Sequence, residues 1–473
     1  MAGRHAQPDD IRDLFSCAMS EMYRAEVPQY GTLLELVADI NAQTLRADPR
    51  LRARLEQGGE IERLDVERHG AIRLGTPREL SDIRRVFAVM GMYPVGYYDL
   101  SLAGVPVHST AFRPITEQAL SRNPFRVFTS LLRLDLIEEP ALRAEAEAIL
   151  AARQIFTPRV LELVTFSETE GGLTRLEAEE FVCEALETFR WHGDATVDLA
   201  TYRRLHCAHR LVADIVSFKG PHINHLTPRT LDIDAVQAAM PACGIAAKAM
   251  IEGPPRRNCP ILLRQTSFKA LEESIGFRQP AGETASGTHT ARFGEIEQRG
   301  VALTARGRKL YDGLLASARR AIQPGAVGSG SITYESELSE RFRSFPDDWA
   351  ELRSRGLAFF RYSTTAASLT SRRAGASTSI DELIAQGFLR FDPIVYEDFL
   401  PVSAAGIFQS NLGADERKSY GERSNRDQFE AALGEPVRDE FELYARAERI
   451  SLEQALERLG CPQTEFTQGE ECA

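Results

Sequence analysis

Nine histidines are spread over 473 residues, and three of them, His69, His222 and His225, fall in segments that read as strands. Two carboxylates of similar setting, Glu295 and Glu297, lie in Phe293-Gly294-Glu295-Ile296-Glu297-Gln298-Arg299-Gly300. Side chains two apart on a strand share a face, so both glutamates point the same way. Two imidazoles and one carboxylate on one side of a divalent ion leave the opposite positions open. That arrangement suits non-haem iron(II) oxygenases, and it also suits hydrolytic zinc. Spacing alone leaves His222 open beside His225, and Glu297 beside Glu295. The plainer alternative for the two acids is an exposed strand face. Arg73 follows His69 at a separation that returns its side chain to the same face. A guanidinium there can grip a carboxylate with two hydrogen bonds, a surface ion pair being the plainer alternative. His206 and His209 share a helical face and read as surface residues rather than as a ligand pair.

These residues need elements to hold them. Apolar spacing predicts helices over residues 8–57, a strand over 62–74, a helix over 77–89 that opens on Thr76-Pro77, and strands near 93–102 and 105–115. Residues 117–218 have helical periodicity and read as a large insertion. Strand signals return near Phe218, followed by a helix over 231–240, strands at 245–251, 260–268 and 290–298, a Gly/Ser-rich loop over 280–289, and a helix over 305–318. Thr76-Pro77-Arg78-Glu79-Leu80 is echoed by Thr227-Pro228-Arg229-Thr230-Leu231, and Ser109-Thr110-Ala111-Phe112-Arg113 by Gln265-Thr266-Ser267-Phe268-Lys269. The echo predicts a duplicated strand–helix–strand–strand unit. The expected architecture is α+β: N-terminal helices (1–60), a first metal-cleft unit (61–116), the helical insertion (117–218), a second metal-cleft unit (219–322) and a mixed C-terminal region (333–473). The two units would form a curved mixed sheet around a cleft.

Bulk properties exclude several classes. A hydrophobic content of 43% and a charged content of 26% describe a folded globular chain. A net charge of −12 argues against nucleic-acid binding and means that an anionic substrate needs dedicated arginines. Seven scattered cysteines without a Cys-x-x-Cys pair predict neither a disulfide framework nor a zinc knot, and fit a reducing cytoplasm. No signal peptide or membrane span is expected.

From about residue 10 to 460 the chain resembles the 2-oxoadipate dioxygenase/decarboxylase (hydroxyglutarate synthase) family. The segments that carry the resemblance are Glu67-Arg68-His69-Gly70-Ala71-Ile72-Arg73, Gly220-Pro221-His222-Ile223-Asn224-His225-Leu226-Thr227-Pro228-Arg229, Phe293 to Gly300, and Pro401-Val402-Ser403. The second and third are also similar to vicinal oxygen chelate dioxygenases acting on 4-hydroxyphenylpyruvate, whose ligand glutamate sits in a strand ending in Gln-Arg. The resemblance implies duplicated βαβββ-like units and Fe(2+) held by His69, His225 and Glu295. It implies Arg73 as the substrate-recognising arginine, and Val402 and Ser403 in a segment, near 401–403, that closes over the substrate. The implied reaction converts 2-oxoadipate and O2 to 2-hydroxyglutarate and CO2, a step of lysine degradation. A zinc hydrolase or lyase on the same ligands, and a non-catalytic dicarboxylate-binding protein, are the alternatives to be tested against it.

Overall fold

The computed structural model describes residues 5–460 except 249, 269–271, 280–283, 291, 322–333, 367–378 and 401–424. They pack as two units, the first from the described residues of Met1–Glu252, Arg264–Gln298 and Asp398–Arg438, the second from those of Gly253–Leu263, Arg299–Glu397 and Asp439–Ala473.

In the first unit, helices α1 (Pro8–Glu26), α2 (Pro28–Ala47) and α3 (Pro49–Gln57) form where the periodicity predicts. Each opens with proline, whose missing N–H costs nothing at a helix start. The short helix α4 (Ile61–Leu64) precedes strand β1 (Arg68–Leu74), so the expected strand begins six residues late. Arg63 at the end of α4 is spent on Glu67, 3.0 Å away, which favours a helical turn there over an extended chain. After β1, Thr76 accepts from the Glu79 N–H at 3.2 Å while Glu79 accepts from the Thr76 N–H at 3.3 Å. This capping box starts α5 (Pro77–Val89). Strands β2 (Tyr93–Asp99) and β3 (Val107–Arg113) follow.

The next strand, β4 (Arg126–Leu132), corrects the sequence reading, because it lies inside the segment expected to be helical insertion. All seven of its residues are buried, and it runs parallel to β1 with His69 opposite Arg126 and Arg73 opposite Ser130. A strand covered on both faces shows no alternation, which is why Arg-Val-Phe-Thr-Ser-Leu-Leu carried no strand signal. The first unit of the duplication is therefore β1–α5–β2–β3–β4. Apart from helix Glu117–Arg122 before β4 and a short turn at Leu134–Leu136 after it, the helices of this segment run from Pro140 to Ser217.

The second copy has the same order. Strand β5 (Leu226–Pro228) is followed by a helix over Ile233–Ala239, by residues bridged to the next strand at Ala247 and Glu252, and by β6 (Leu263–Ser267). A hairpin of β7 (Glu273–Arg278) and β8 (Thr284–His289) intervenes before β9 (Glu295–Arg299). β8 occupies most of the stretch read as a loop; its Ser286 and Gly287 pair with Gly276 and Ile275 of β7 like the residues around them. β9 pairs with β6, and Arg229 just beyond β5 bridges in parallel to Glu297, as β4 runs parallel to β1. The two copies join through antiparallel β1 and β5, His69 facing Thr227. The sequence echo itself aligns the wrong positions. Thr76 caps α5, whereas Thr227 lies in β5 and the second helix is capped by Asp232, which accepts from the Ala235 N–H at 3.1 Å.

Arg113 at the end of β3 makes a two-pronged pair with Asp398, at 2.7 and 2.9 Å, both side chains buried. Arg113→Met would leave a buried carboxylate without this partner and is expected to cost about 3–5 kcal/mol. A lowered urea midpoint of the full chain checks it.

In the second unit, helix Glu440–Leu459 supports the hairpin of β10 (Phe360–Thr364) and β11 (Leu389–Pro393). Glu448 and Ser451 accept from the Phe360 and Tyr362 N–H groups at 2.8 and 3.0 Å, which satisfies part of an edge strand.

Candidate metal centre

Strand alternation puts His69, Ala71 and Arg73 on one face of β1, and these three, like Glu67 just before the strand, are buried. Gly70 lets the chain before β5 come close to β1: a Cβ there would lie 3.0 Å from the His225 carbonyl oxygen and 2.4 Å from Ile223. Asn224 donates its N–H to the Ala71 carbonyl at 3.0 Å, and β5 starts one residue after His225. His225 therefore sits at the mouth of its strand, not within it, and His222 lies in the loop before, at φ 23°.

Across the site, Phe293 N–H reaches the Asn224 carbonyl at 3.1 Å, tying the approach to β9 to the approach to β5. Tyr23 of α1 closes the same knot, donating its hydroxyl to the carbonyls of Phe293 at 2.9 Å and Asn224 at 3.3 Å. Burial holds its phenol well above the usual range, so it stays a donor. Nothing in the spacing of α1 marked Tyr23 as more than a core aromatic.

The side chains of His69, His225 and Glu295 converge: one donor atom from each lies within 4.8 Å of the other two, and all three are fully buried. Nε2 of His225 is 3.3 Å from Oε2 of Glu295, and the two imidazole rings stand 5.3 Å apart at 84°. No other group of three histidines, cysteines or acids among the described residues converges in this way. His222 instead lies 3.5 Å from Asp214 and against Trp191 at 4.8 Å. Glu297 shares the face of Glu295 but goes to the ring of His69, its Oε2 2.9 Å from Nδ1. Two further histidines are engaged elsewhere. His209 caps a helix by accepting from the Leu211 N–H at 3.1 Å, and His108 lies 3.4 Å from the Tyr97 hydroxyl.

The donor set fits a divalent cation. Both ring nitrogens of His225, Oε2 of Glu295 and both polar atoms of the Asn224 amide are buried without a hydrogen bond. Such groups are rare in a folded interior and ask for a ligand. Burial, then the neighbouring His69 ring and Arg73, push His225 well below its usual range, so its lone pair is available. Burial, then the charges of Glu297 and Glu252, push Glu295 well above the carboxylate range, against Lys248 and Thr227. A cation would reverse that penalty by supplying the missing charge. Gln265 on β6 donates to Oε1 of Glu295 at 2.6 Å and fixes the carboxylate's rotation. Phe399 closes one side, 5.0 Å from the ring of His69 and 5.3 Å from Phe128.

A carboxylate at Nδ1 favours the tautomer whose Nε2 lone pair is free for a metal. Glu297→Leu is expected to weaken metal binding by about 10- to 100-fold, and Glu297→Gln by less, since its amide oxygen still accepts. Competition with a chelating dye measures both.

Arg73 comes to the same face of β1, its Nη1 donating to Asp214 at 2.7 Å. The pair is buried, so it is not the surface ion pair of the plainer alternative, although a carboxylate partner is present. Val402 and Ser403 lie outside the described residues.

The family model of 2-oxoadipate dioxygenase/decarboxylase matches residues 15–411. A 2-oxoadipate dioxygenase/decarboxylase of Pseudomonas putida is 59% identical over 459 residues, covering 97% of this chain and 98% of that protein. One of Escherichia coli is 60% identical over 445 residues, covering 94% and 97%. A crystal structure of the Pseudomonas putida hydroxyglutarate synthase in complex with 2-oxoadipate superimposes with a TM-score of 0.89 at 58% identity, over 97% of this chain and all of that one (100%). With identity of this level running nearly end to end, and the fold shared with it, the chain belongs to the 2-oxoadipate dioxygenase/decarboxylase family.

Proposed function

We propose that this chain is a mononuclear iron(II) enzyme that converts 2-oxoadipate and O2 to 2-hydroxyglutarate and CO2. The observation that carries the reading is the meeting of His69, His225 and Glu295, three buried donors within 4.8 Å of one another. The names of the relatives supply the substrate and the reaction class. When bound there, iron(II) would supply sites for a chelating 2-oxo acid and for O2, and the redox chemistry that joins them.

The protein's own part is to bind and orient. Arg73 takes the far carboxylate of the substrate, and the family resemblance adds Val402 and Ser403 as substrate-recognising residues. Anchoring a dicarboxylate at both ends fixes which carbon is presented for oxidation. Phe128, Phe399 and Phe293 line the centre with rings, 4.9 Å separating Phe293 from His225, and keep bulk water from it. The reading places the enzyme in the reducing cytoplasm. Cys17, Cys183, Cys207, Cys243 and Cys259 are unbridged, and no described helix is long and apolar enough to cross a membrane.

Anaerobic reconstitution with Fe(II), followed by simultaneous O2 and CO2 measurement, tests it. Equal uptake and release with 2-oxoadipate, and slower turnover of 2-oxoglutarate and 4-hydroxyphenylpyruvate, is the expected result. CO2 release without O2 uptake, or equal activity with Zn²⁺ under nitrogen, would replace it with a lyase or hydrolase.

A further inference from the structure

Behind Arg73 runs a line of buried polar groups that the metal centre does not use. Arg73 Nη1 donates to Oδ2 of Asp214 at 2.7 Å. The other carboxylate oxygen, Oδ1, lies 2.9 Å from Nε2 of His289, and Nδ1 of that ring lies 2.8 Å from the hydroxyl of Tyr202. All four side chains are buried. Burial opposes the charge on Asp214, but Arg73 and the His289 hydrogen bond outweigh it and hold the carboxyl well below its usual range. An ionised Asp214 can only accept, so Nε2 carries the His289 proton and Nδ1 accepts from Tyr202. Every link then has a defined donor and acceptor.

The line starts in the duplicated sheet and leaves it at once. Asp214 belongs to the helix Arg210–Ser217, Tyr202 to Leu199–Ala208 and His289 to β8. None of these elements has a counterpart in the first β1–α5–β2–β3–β4 unit. They are what the chain adds to the duplication, and they converge on one arginine.

A buried ion pair adds little to stability over well-packed apolar side chains, so its presence asks for another use. An arginine side chain has many rotamers, and confining it to one on binding is costly. Holding the guanidinium before a ligand arrives removes that cost from binding and sets the direction of its fork.

We infer that Tyr202, His289 and Asp214 are positioning residues that orient Arg73 for the far carboxylate, and so set the preference for dicarboxylic over monocarboxylic 2-oxo acids. The inference rests on the proposed role of Arg73. It also gives the helical insertion a task beyond covering the cleft.

The test compares 2-oxoadipate with 2-oxohexanoate, which has the same chain length but no far carboxylate. Asp214→Asn, Tyr202→Phe and Arg73→Ala are assayed on the iron-loaded full chain for kcat and KM, with the dissociation constant of 2-oxoadipate measured anaerobically by calorimetry. Asp214→Asn is expected to raise KM and the dissociation constant for 2-oxoadipate by about 10-fold or more, the scale of one charge-assisted hydrogen bond. Tyr202→Phe, two links from Arg73, should raise them by about 3-fold. Iron content, kcat for both acids and KM for 2-oxohexanoate should stay unchanged, so the preference falls by the same factors. If both variants slow the two acids alike, or lose iron, the line is structural and the inference fails. Should Asp214→Asn fail to fold, Tyr202→Phe decides alone. If Arg73→Ala leaves the preference intact, the role of Arg73 itself is wrong. If Arg73→Ala abolishes the preference and neither other variant shifts it, only the inference falls.

Discussion

His225→Ala is expected to leave a folded chain that no longer retains iron after gel filtration, with 2-oxoadipate turnover reduced by more than the about 10- to 100-fold typical of a residue that merely orients a ligand. The imidazole is one of the three donors that converge among the described residues, and both of its nitrogens are buried without a hydrogen bond. Its removal takes away a bond to the metal without freeing a protein partner. The fold should survive, because the backbone of this segment is tied independently: Asn224 to Ala71, Phe293 to Asn224 and Tyr23 to both carbonyls. Metal content by mass spectrometry and the melting temperature with and without Fe(II) separate the two effects. The wild-type melting point should rise with added metal and the variant's should not. His222→Ala should keep its iron. Full iron in His225→Ala and loss in His222→Ala would reverse the ligand assignment.

Arg73→Ala should behave in the opposite way, keeping iron while losing the substrate. A charge-assisted hydrogen bond contributes about 1.5–3 kcal/mol, so a two-pronged grip on a carboxylate lost entirely implies an increase in KM of about 100-fold or more. The variant also exposes the incoming carboxylate to Asp214, which Arg73 no longer neutralises. Repulsion adds to the lost attraction, and Arg73→Ala should thus bind 2-oxoadipate more weakly than the double variant Arg73→Ala/Asp214→Asn. Arg73→Lys should recover only part of the affinity, since an ammonium lacks the planar fork. An unchanged KM in Arg73→Ala would remove the arginine from substrate recognition.

The chemistry of this chain was easier to read than its connectivity. His69 and Arg73 were legible because a strand's period of two fixes which side chains share a face, and β1 keeps that period. The choice between His222 and His225, and between Glu295 and Glu297, was open to spacing and came only with the family resemblance. Geometry supplies a reason: His222 is drawn to Asp214, and Glu297 to the ring of His69. β4 stayed hidden because burial on both faces erases alternation. Asp214, His289, Tyr202 and Tyr23 could not be found from sequence, since their roles depend on contacts between segments far apart in the chain. Asp214 had one faint signal, a lone acid in the apolar run Leu-Val-Ala-Asp-Ile-Val.

The three converging donors come from opposite ends of the duplication, His69 near its beginning and Glu295 on its final strand. During synthesis the ribosome must release β9 before the last donor exists, so the metal cannot template the early chain. On the proposed reading, iron would bind only after most of the duplicated sheet has been made, and chains made without the metal would be completed with the site still able to take it up.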